Sequence, residues 1–508
     1  MNPANRRIAL NTVYMYVRLV TLMAVGLYTS RLVLSVLGVS DYGIFAVVGG
    51  VMALFTFLSN ALANATSRFL NTEMGRGGDV NATFNINLLL HVALALLIFL
   101  LAESVGLWYI HSGLNVAPGR LDDALFVFQV SIFTTCLGIV ASPFQSLFIA
   151  HEQFRFQMVV DIVNSLVRLG CILLLTLYDG SEALRLYSLI FSLTSLNTLG
   201  IYYFLGRRRW PEIIRLRLVR GWARYREVLV FNNWNLLATL SFMARSSGSD
   251  IMLNAFFGTS VNGAFAVAKA VGSYLSEFSD KFDSASAPQI VQAYAAGDHE
   301  RVSYLVNKIG RVNLLLFELM LFPLLVELDF VLGLWLGEVP PFVLDLTRIN
   351  LWMGLVGTSC GGLLPLIRAY GRIKWFQIEL STCFLLCIPL GIGVLSQGYP
   401  AKSLLYLFLV ADLVHRSIQL CLLQRLVGFD SLRYVREAYL RPFIICAAMS
   451  LLLLIYMEHP LSGAPAKCAV VFSTFLLTAA LIWAIGLQPT ERQKFLLKLH
   501  RRESHGEC

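Results

Sequence analysis

Fourteen apolar stretches in this chain are long enough to be read as membrane-crossing helices, and that constrains its fold more than any motif does. A spanning helix needs roughly 20 mostly apolar residues. The first half supplies them at 8–37, 42–70, 84–110, 121–150, 156–177 and 184–205. The second half does so at 228–257, 263–294, 302–326, 349–370, 375–395 and 404–426, and two more follow at 443–457 and 468–487. With 57% hydrophobic residues, 14% charged residues and a mean hydropathy of +0.68, the chain has more apolar surface than a soluble core can hide. The expected fold class is therefore an all-α polytopic membrane protein with about 14 transmembrane helices.

Charge placement tests that count independently, because cytoplasmic connections collect Lys and Arg. Counting the adjoining span ends with each connection, alternate connections hold 27 of the 40 basic residues, from Arg6 to Arg502. The others hold five: Arg120, Arg185, Arg348, Lys402 and Lys467. This contrast puts both termini in the cytoplasm, and the net charge of +9 reports topology rather than nucleic-acid binding. Arg6 and Arg7 precede an apolar run too long for a signal peptide, with no small-residue cleavage site at its end, so that run reads as the first span. Of nine cysteines only Cys383 and Cys387 are close, at helical spacing. Neither a zinc motif nor a disulfide framework follows, and no cofactor is expected.

A repeat organises the spans. The stretch "LGVSDYGIFAV", 37–47, returns as "FGTSVNGAFAV", 257–267, with Gly38/Gly258, Ser40/Ser260, Gly43/Gly263, Phe45/Phe265, Ala46/Ala266 and Val47/Val267 identical. An offset of 220 lays the second span on the eighth. Six spans is an even number, so the two copies start on the same side and are related by an axis along the membrane normal. The expected organisation is a first lobe at 1–206, a linker at 207–227, a second lobe at 228–427 and two extra spans with a basic cytoplasmic tail at 428–508. The linker, "GRRRWPEIIRLRLVRGWARYRE" with its preceding glycine, carries eight arginines against Glu212 and Glu227. Its apolar Trp210, Ile213, Ile214, Leu218 and Trp222 suggest an amphipathic helix at the cytoplasmic interface, where anionic lipid attracts arginine. A plain topology-fixing linker is the simpler reading.

Eight basic residues lie within spans: Arg18, Arg31, Arg168, Arg245, Lys269, Lys281, Arg368 and Arg416. A central arginine costs roughly 2.5 to 3.5 kcal/mol on insertion scales, so such residues face a bundle interior or a wet cavity. Arg18 sits about ten residues, roughly 15 Å, into the first span, too deep for easy snorkelling, whereas Arg368 and Arg416 lie near span ends and can snorkel. Asn11, Tyr14, Arg18, Thr21 and Tyr28 share one helical face through spacings of 3, 4, 3 and 7. Asn60 and Asn64 continue it on the second span, Asp161, Ser165 and Arg168 on the fifth, and Asn232, Asn235, Arg245 and Asp250 on the seventh. These faces read as a polar lumen, with hydrogen bonds between helices as the competing account. Arginine dominates, and its rigid fork of donors suits phosphate. Arg18, Arg31, Arg168, Arg245 and Lys269 are thus the candidate anion-binding residues. Asn11, Tyr14, Asn60, Asn64, Asn232 and Asn235 are the candidate polar lining. Asp161, Glu277, Asp280 and Glu318 are candidates for coupling to H+ or Na+, with internal charge pairing as the alternative.

The stretch from Asn11 to Leu70, the "R-L-x-x-x-x-L-G-x-x-x-Y-G-x-F" pattern at Arg31–Phe45 and "SPFQSLFIAHEQF" at 142–154 resemble polysaccharide-biosynthesis flippases of the multidrug/oligosaccharidyl-lipid/polysaccharide (MOP) superfamily. The resemblance implies a two-lobed, V-shaped bundle like that of the multidrug and toxin extrusion (MATE) transporters, plus two C-terminal helices. It implies alternating access that moves undecaprenyl-diphosphate-linked oligosaccharide from the cytoplasmic to the periplasmic leaflet of a bacterial inner membrane, for O-antigen or capsule. Arg18 and Arg31 lie where that family keeps its first-helix basic residues, whereas Arg245 and Lys269 match no motif. Expected partners are the lipid-linked oligosaccharide, a counter-ion, membrane lipids and the polymerase and glycosyltransferase machinery.

Two other classes compete with that reading. A MATE-like cation-coupled drug exporter would be expected to carry an acid-rich first lobe. A polytopic polysaccharide polymerase or ligase would be expected to carry a sizeable outside loop, yet among the longest here is 336–348. No HExxH, GxSxG or P-loop motif is present, and a duplicated architecture suits a carrier rather than an enzyme.

Overall fold

The computed structural model describes residues 3–117, 119–151, 153–178, 180, 182–230, 233–489 and 491–493. Among them the long elements are helices: α1 (Pro3–Arg76), α2 (Val80–Leu101), α3 (Leu121–Ala150), α4 (Phe154–Leu175), α5 (Ala183–Arg209), α6 (Trp222–Val230), α7 (Asn233–Phe257) and α8 (Thr259–Ala295). There follow α9 (His299–Val326), α10 (Val343–Thr358), α11 (Leu363–Tyr370), α12 (Lys374–Ser396), α13 (Lys402–Leu422), α14 (Leu440–Glu458) and α15 (Ala464–Leu481). By length and composition ten described helices can cross a membrane, or eleven if the pair α10 and α11, bent by 44°, is one span. That measure does not establish the expected fourteen. The first two expected spans share α1 and are counted once, and α7 and α8, which carry polar faces, fall outside the ten.

Contacts group the chain into two compact units, Met1–Ala266 with Leu380–Ala401, and Val267–Glu379 with Lys402–Cys508. In the first, Val33, Ile44 and Val48 of α1 pack with Val127, Phe128 and Ile132 of α3, Ile172 of α4 and Tyr187 of α5. A second cluster joins Leu70, Phe84, Phe148, Tyr202 and Ile214. In the second unit, Val306 and Ile309 of α9 pack with Leu363 and Ile367 of α11, Leu423 and Tyr434. Large apolar side chains such as Leu100, Leu174, Phe204, Leu454 and Phe472 are more than half exposed. On spanning helices these face lipid, where exposure carries no hydrophobic penalty.

The repeated motif has a structural counterpart. Gly38 breaks α1 with φ 69° and ψ 172°, a conformation essentially confined to glycine, and Gly258 separates α7 from α8 with φ 78°. The partners Gly43 and Gly263 meet: a Cβ on Gly43 would overlap the Thr259 carbonyl and come within 3.1 Å of the Gly263 nitrogen. A Cβ on Gly263 would overlap the Val39 carbonyl. Beside this contact the Ser40 and Thr259 hydroxyls share a hydrogen bond of 3.0 Å. Small residues allow such backbone approach where lipid gives helices no hydrophobic reason to associate.

The linker departs from a single amphipathic helix. After α5 it makes one turn at Pro211–Ile214, runs without helical structure, and resumes as α6 at Trp222. Pro211 interrupts the helix and Gly221 sits at φ 110°. Asn81 donates to the carbonyls of Glu212, Ile213 and Arg215 at 2.8–2.9 Å, and Asn85 donates to Arg215 and accepts from the Arg217 amide. The break between α10 and α11 is satisfied in the same internal way. Tyr434 donates to the carbonyls of Ser359 and Gly361, Tyr439 to Ser359, and Arg416 to Gly357, while the Gly362 amide donates to Asp283 at 2.7 Å.

If the glycine contact sets helix packing, Gly43→Ala should destabilise the protein by about 1–3 kcal/mol, the usual cost of overpacking. Gly49→Ala, where an added Cβ meets nothing, should not. Thermal melting in detergent separates the two, and equal melting temperatures would show that the contact relaxes freely.

Candidate functional site

Three elements of the first unit build the site: α1, α4 and α5. On α4, Asp161, Asn164 and Arg168 follow one another at spacings of 3 and 4 and share a face. Arg18, far along the first arm of α1, reaches Asp161 with Nη2 to Oδ2 at 2.6 Å, and the two side chains are 35% and 25% exposed. One turn further, Asn164 donates to Thr198 Oγ1 at 2.8 Å and accepts from Asn197 at 2.6 Å. Arg168 donates to the Tyr187 hydroxyl at 2.8 Å, and its guanidinium lies 4.5 Å from the Phe191 ring centroid. Phe45, the aromatic of the repeated motif, packs edge-on against both Tyr187 and Phe191.

The structure thus joins two residues that the sequence assigned to different roles. Arg18, a candidate anion binder, is paired with Asp161, a candidate coupling residue. Arg168 is on the same face but is stacked in an aromatic wall. Arg18 is thus only partly enclosed and, among the described residues, is paired with the Asp161 carboxylate. Arg31 is exposed and stands thirteen residues, about 20 Å, further along α1. Arg245 is buried at 8% exposure, stacked 4.5 Å from the centroid of Phe384 on α12. In the second unit, Lys269 and Glu277 are half-buried, Asp280 is exposed, and Glu318 is only 1% exposed with Oε2 lacking a hydrogen-bond partner. Asn232 lies outside the described residues, as do the side chains of Asn11, Tyr14, Asn60, Asn64, Asn235 and Lys281.

Several polar contacts were not anticipated. Arg311, counted by sequence with a cytoplasmic connection, is 1% exposed and donates to Glu491 at 2.7 Å. Glu437 accepts from Asn307 and Arg433, both at 2.8 Å, so this end of α9 is tied to the segments flanking α14 and α15. Arg416, which was free to snorkel on sequence grounds, is instead held by Gln419 and the Gly357 carbonyl. His415 on α13 meets Glu379 on α12 at 2.8 Å, both buried. A histidine and an acid, each within an apolar span, were the signs of that pair. Among the described residues no group of three or more side chains could hold a metal ion.

The long apolar helices described above agree with a comparison by sequence family. A model described as polysaccharide biosynthesis protein matches residues 9–293. The chain belongs to that family. No curated protein matches it. Among solved structures it is similar to the lipid II flippase MurJ in an inward closed conformation, at 12% identity and a TM-score of 0.67, covering 94% of this chain and 99% of the other. An inward-facing multidrug resistance MATE transporter of the MOP superfamily aligns at 11% identity and a TM-score of 0.59, covering 78% and 92%. The MATE multidrug transporter DinF-BH aligns at 16% and 0.59, covering 84% and 96%. At such identities the likeness concerns the fold alone. This member of the polysaccharide biosynthesis family is accordingly a multi-pass membrane protein.

The ion pair makes its own prediction. Arg18→Ala and Asp161→Ala should each destabilise the protein by about 1 kcal/mol, as for a partly solvated pair. The swap Arg18→Asp with Asp161→Arg should recover most of that loss. A swap that melts no higher than the worse single variant would show that the two residues do not pair.

Proposed function

We propose that this protein flips undecaprenyl-diphosphate-linked oligosaccharide from the cytoplasmic to the periplasmic leaflet of a bacterial inner membrane, for O-antigen or capsule synthesis. The Arg18–Asp161 pair carries the reading. Asp161 holds the guanidinium at 2.6 Å. A diphosphate offers more negative charge and a bidentate fit to arginine's fork, so it competes for Arg18. Protonation of Asp161, or sodium bound to it, would weaken its hold and link cargo capture to an ion gradient. In the repeat reading, a first lobe at 1–206 and a second at 228–427 alternate access about such a site. Both termini are cytoplasmic in this scheme, and the flipped unit passes to polymerase and glycosyltransferase machinery. The membership in a polysaccharide biosynthesis family and the name of a lipid II flippase on a neighbour of the same fold support a lipid-linked sugar as cargo.

A second reading, a cation-coupled small-molecule exporter, draws on the enclosed carboxyl of Glu318 and the MATE neighbours. It ranks lower because Arg18, at the site that carries the first reading, repels cationic cargo.

Expression in a strain deleted for this gene tests the first reading. Arg18→Ala, present in the membrane at wild-type level, should reduce surface glycan at least roughly tenfold, the worth of a lost charge-assisted contact. Arg18→Lys should retain part of it. The stability-restoring charge swap should remain inactive, since it presents a carboxylate where α1 now presents a cation. Full glycan synthesis by Arg18→Ala would remove the arginine from cargo recognition.

A further inference from the structure

Between the start of α2 and the linker lies a groove of about 340 Å³ that none of the residues discussed as cargo site lines. Leu88, Leu89 and Val92 from α2 and Leu216 and Leu218 from the linker line it, together with Asn85, Arg217 and Tyr225. We infer that this groove binds an anionic phospholipid of the cytoplasmic leaflet, acyl chain between the leucines and phosphate against Arg217.

The first observation is exposure. Leu216 is 78% exposed, Leu218 75% and Trp222 69%, in a segment whose backbone is not loose. The carbonyls of Glu212, Ile213 and Arg215 are captured by Asn81 and Asn85, the Arg217 amide by Asn85, and the Val219 carbonyl by the Tyr225 hydroxyl. The clamp therefore presents these apolar side chains outward at a fixed place, beside lipid-facing Leu89, which is 42% exposed. In water that arrangement is unfavourable, and at a bilayer surface it is favourable.

Charge selects the occupant. Arg217, the basic residue that lines the groove, favours an anionic headgroup over a zwitterionic one. Arg217, 61% exposed, makes a single ion pair of 2.9 Å with Asp79 at the groove's edge and keeps donors for a phosphate. A peptide occupant would need the linker's backbone groups, and the clamp has already engaged several of them.

The test uses the full-length protein, reconstituted in mixed phosphatidylglycerol and phosphatidylethanolamine bilayers, re-extracted, and analysed for retained lipid by native mass spectrometry. Wild type should retain phosphatidylglycerol in preference to phosphatidylethanolamine. Leu218→Trp, which fills the groove and keeps every arginine, should abolish that preference. Arg217→Gln should reduce it about fivefold, the worth of one basic residue near a membrane surface. The triple change R207Q/R208Q/R209Q, away from the groove, should preserve it. Unchanged preference in Arg217→Gln, or preference that falls only with total arginine count, would overturn the site in favour of diffuse attraction. Retention of a polyprenyl diphosphate lipid in place of phosphatidylglycerol would overturn the choice of occupant.

Discussion

Hydrocarbon offers no water to a charge or a backbone amide, so every polar group placed in it must find its partner within the protein. That constraint accounts for the Arg18–Asp161 pair, for Arg168 lying on Tyr187 and Phe191, and for the tyrosines that cap the broken helix at Ser359–Gly362. It also separates structural from functional cations. Arg168 is held by Tyr187 and Phe191 and Arg416 by Gln419 and the Gly357 carbonyl, whereas Arg18 is paired with the Asp161 carboxylate. In the proposed function, Arg18 is the residue whose contacts a diphosphate cargo would alter.

The repeat serves the same end. Gly38 and Gly258 supply a conformation that lets the chain leave one helix and enter the next with almost no loop. Gly43 and Gly263 then let the two copies touch through backbone. Phe45, two positions further along the motif, reaches the aromatic wall that holds Arg168. A motif that reads as a duplicated helix start is thus also part of the packing beneath the charged face.

What was legible in the sequence follows from what periodicity encodes. Helical spacing placed Asp161 and Arg168 on one face, depth singled out Arg18, and the doubled glycines marked the contact at α8. Pairing across helices is invisible to spacing, so Arg18 and Asp161 were assigned separate roles although they touch. The burial of Arg311 leaves no mark either, because loop charge is counted by side of the membrane, and an arginine bonded to Glu491 counts the same as a solvated one. His415 and Glu379 lie on different spans and share no periodic signal. The linker was read as one helix because arginine and leucine suit one, but Pro211 and the capture of its carbonyls by Asn81 and Asn85 override that preference.

The most direct test is the leaflet distribution of the lipid-diphosphate oligosaccharide in cells lacking this gene, with sugars assayed on both faces of the inner membrane. The account predicts that the complete lipid-linked unit accumulates on the cytoplasmic face and that the wild-type gene restores it to the periplasmic face. Normal translocation, with unpolymerised or unligated units outside or with glycan unchanged and drug tolerance altered, would contradict it.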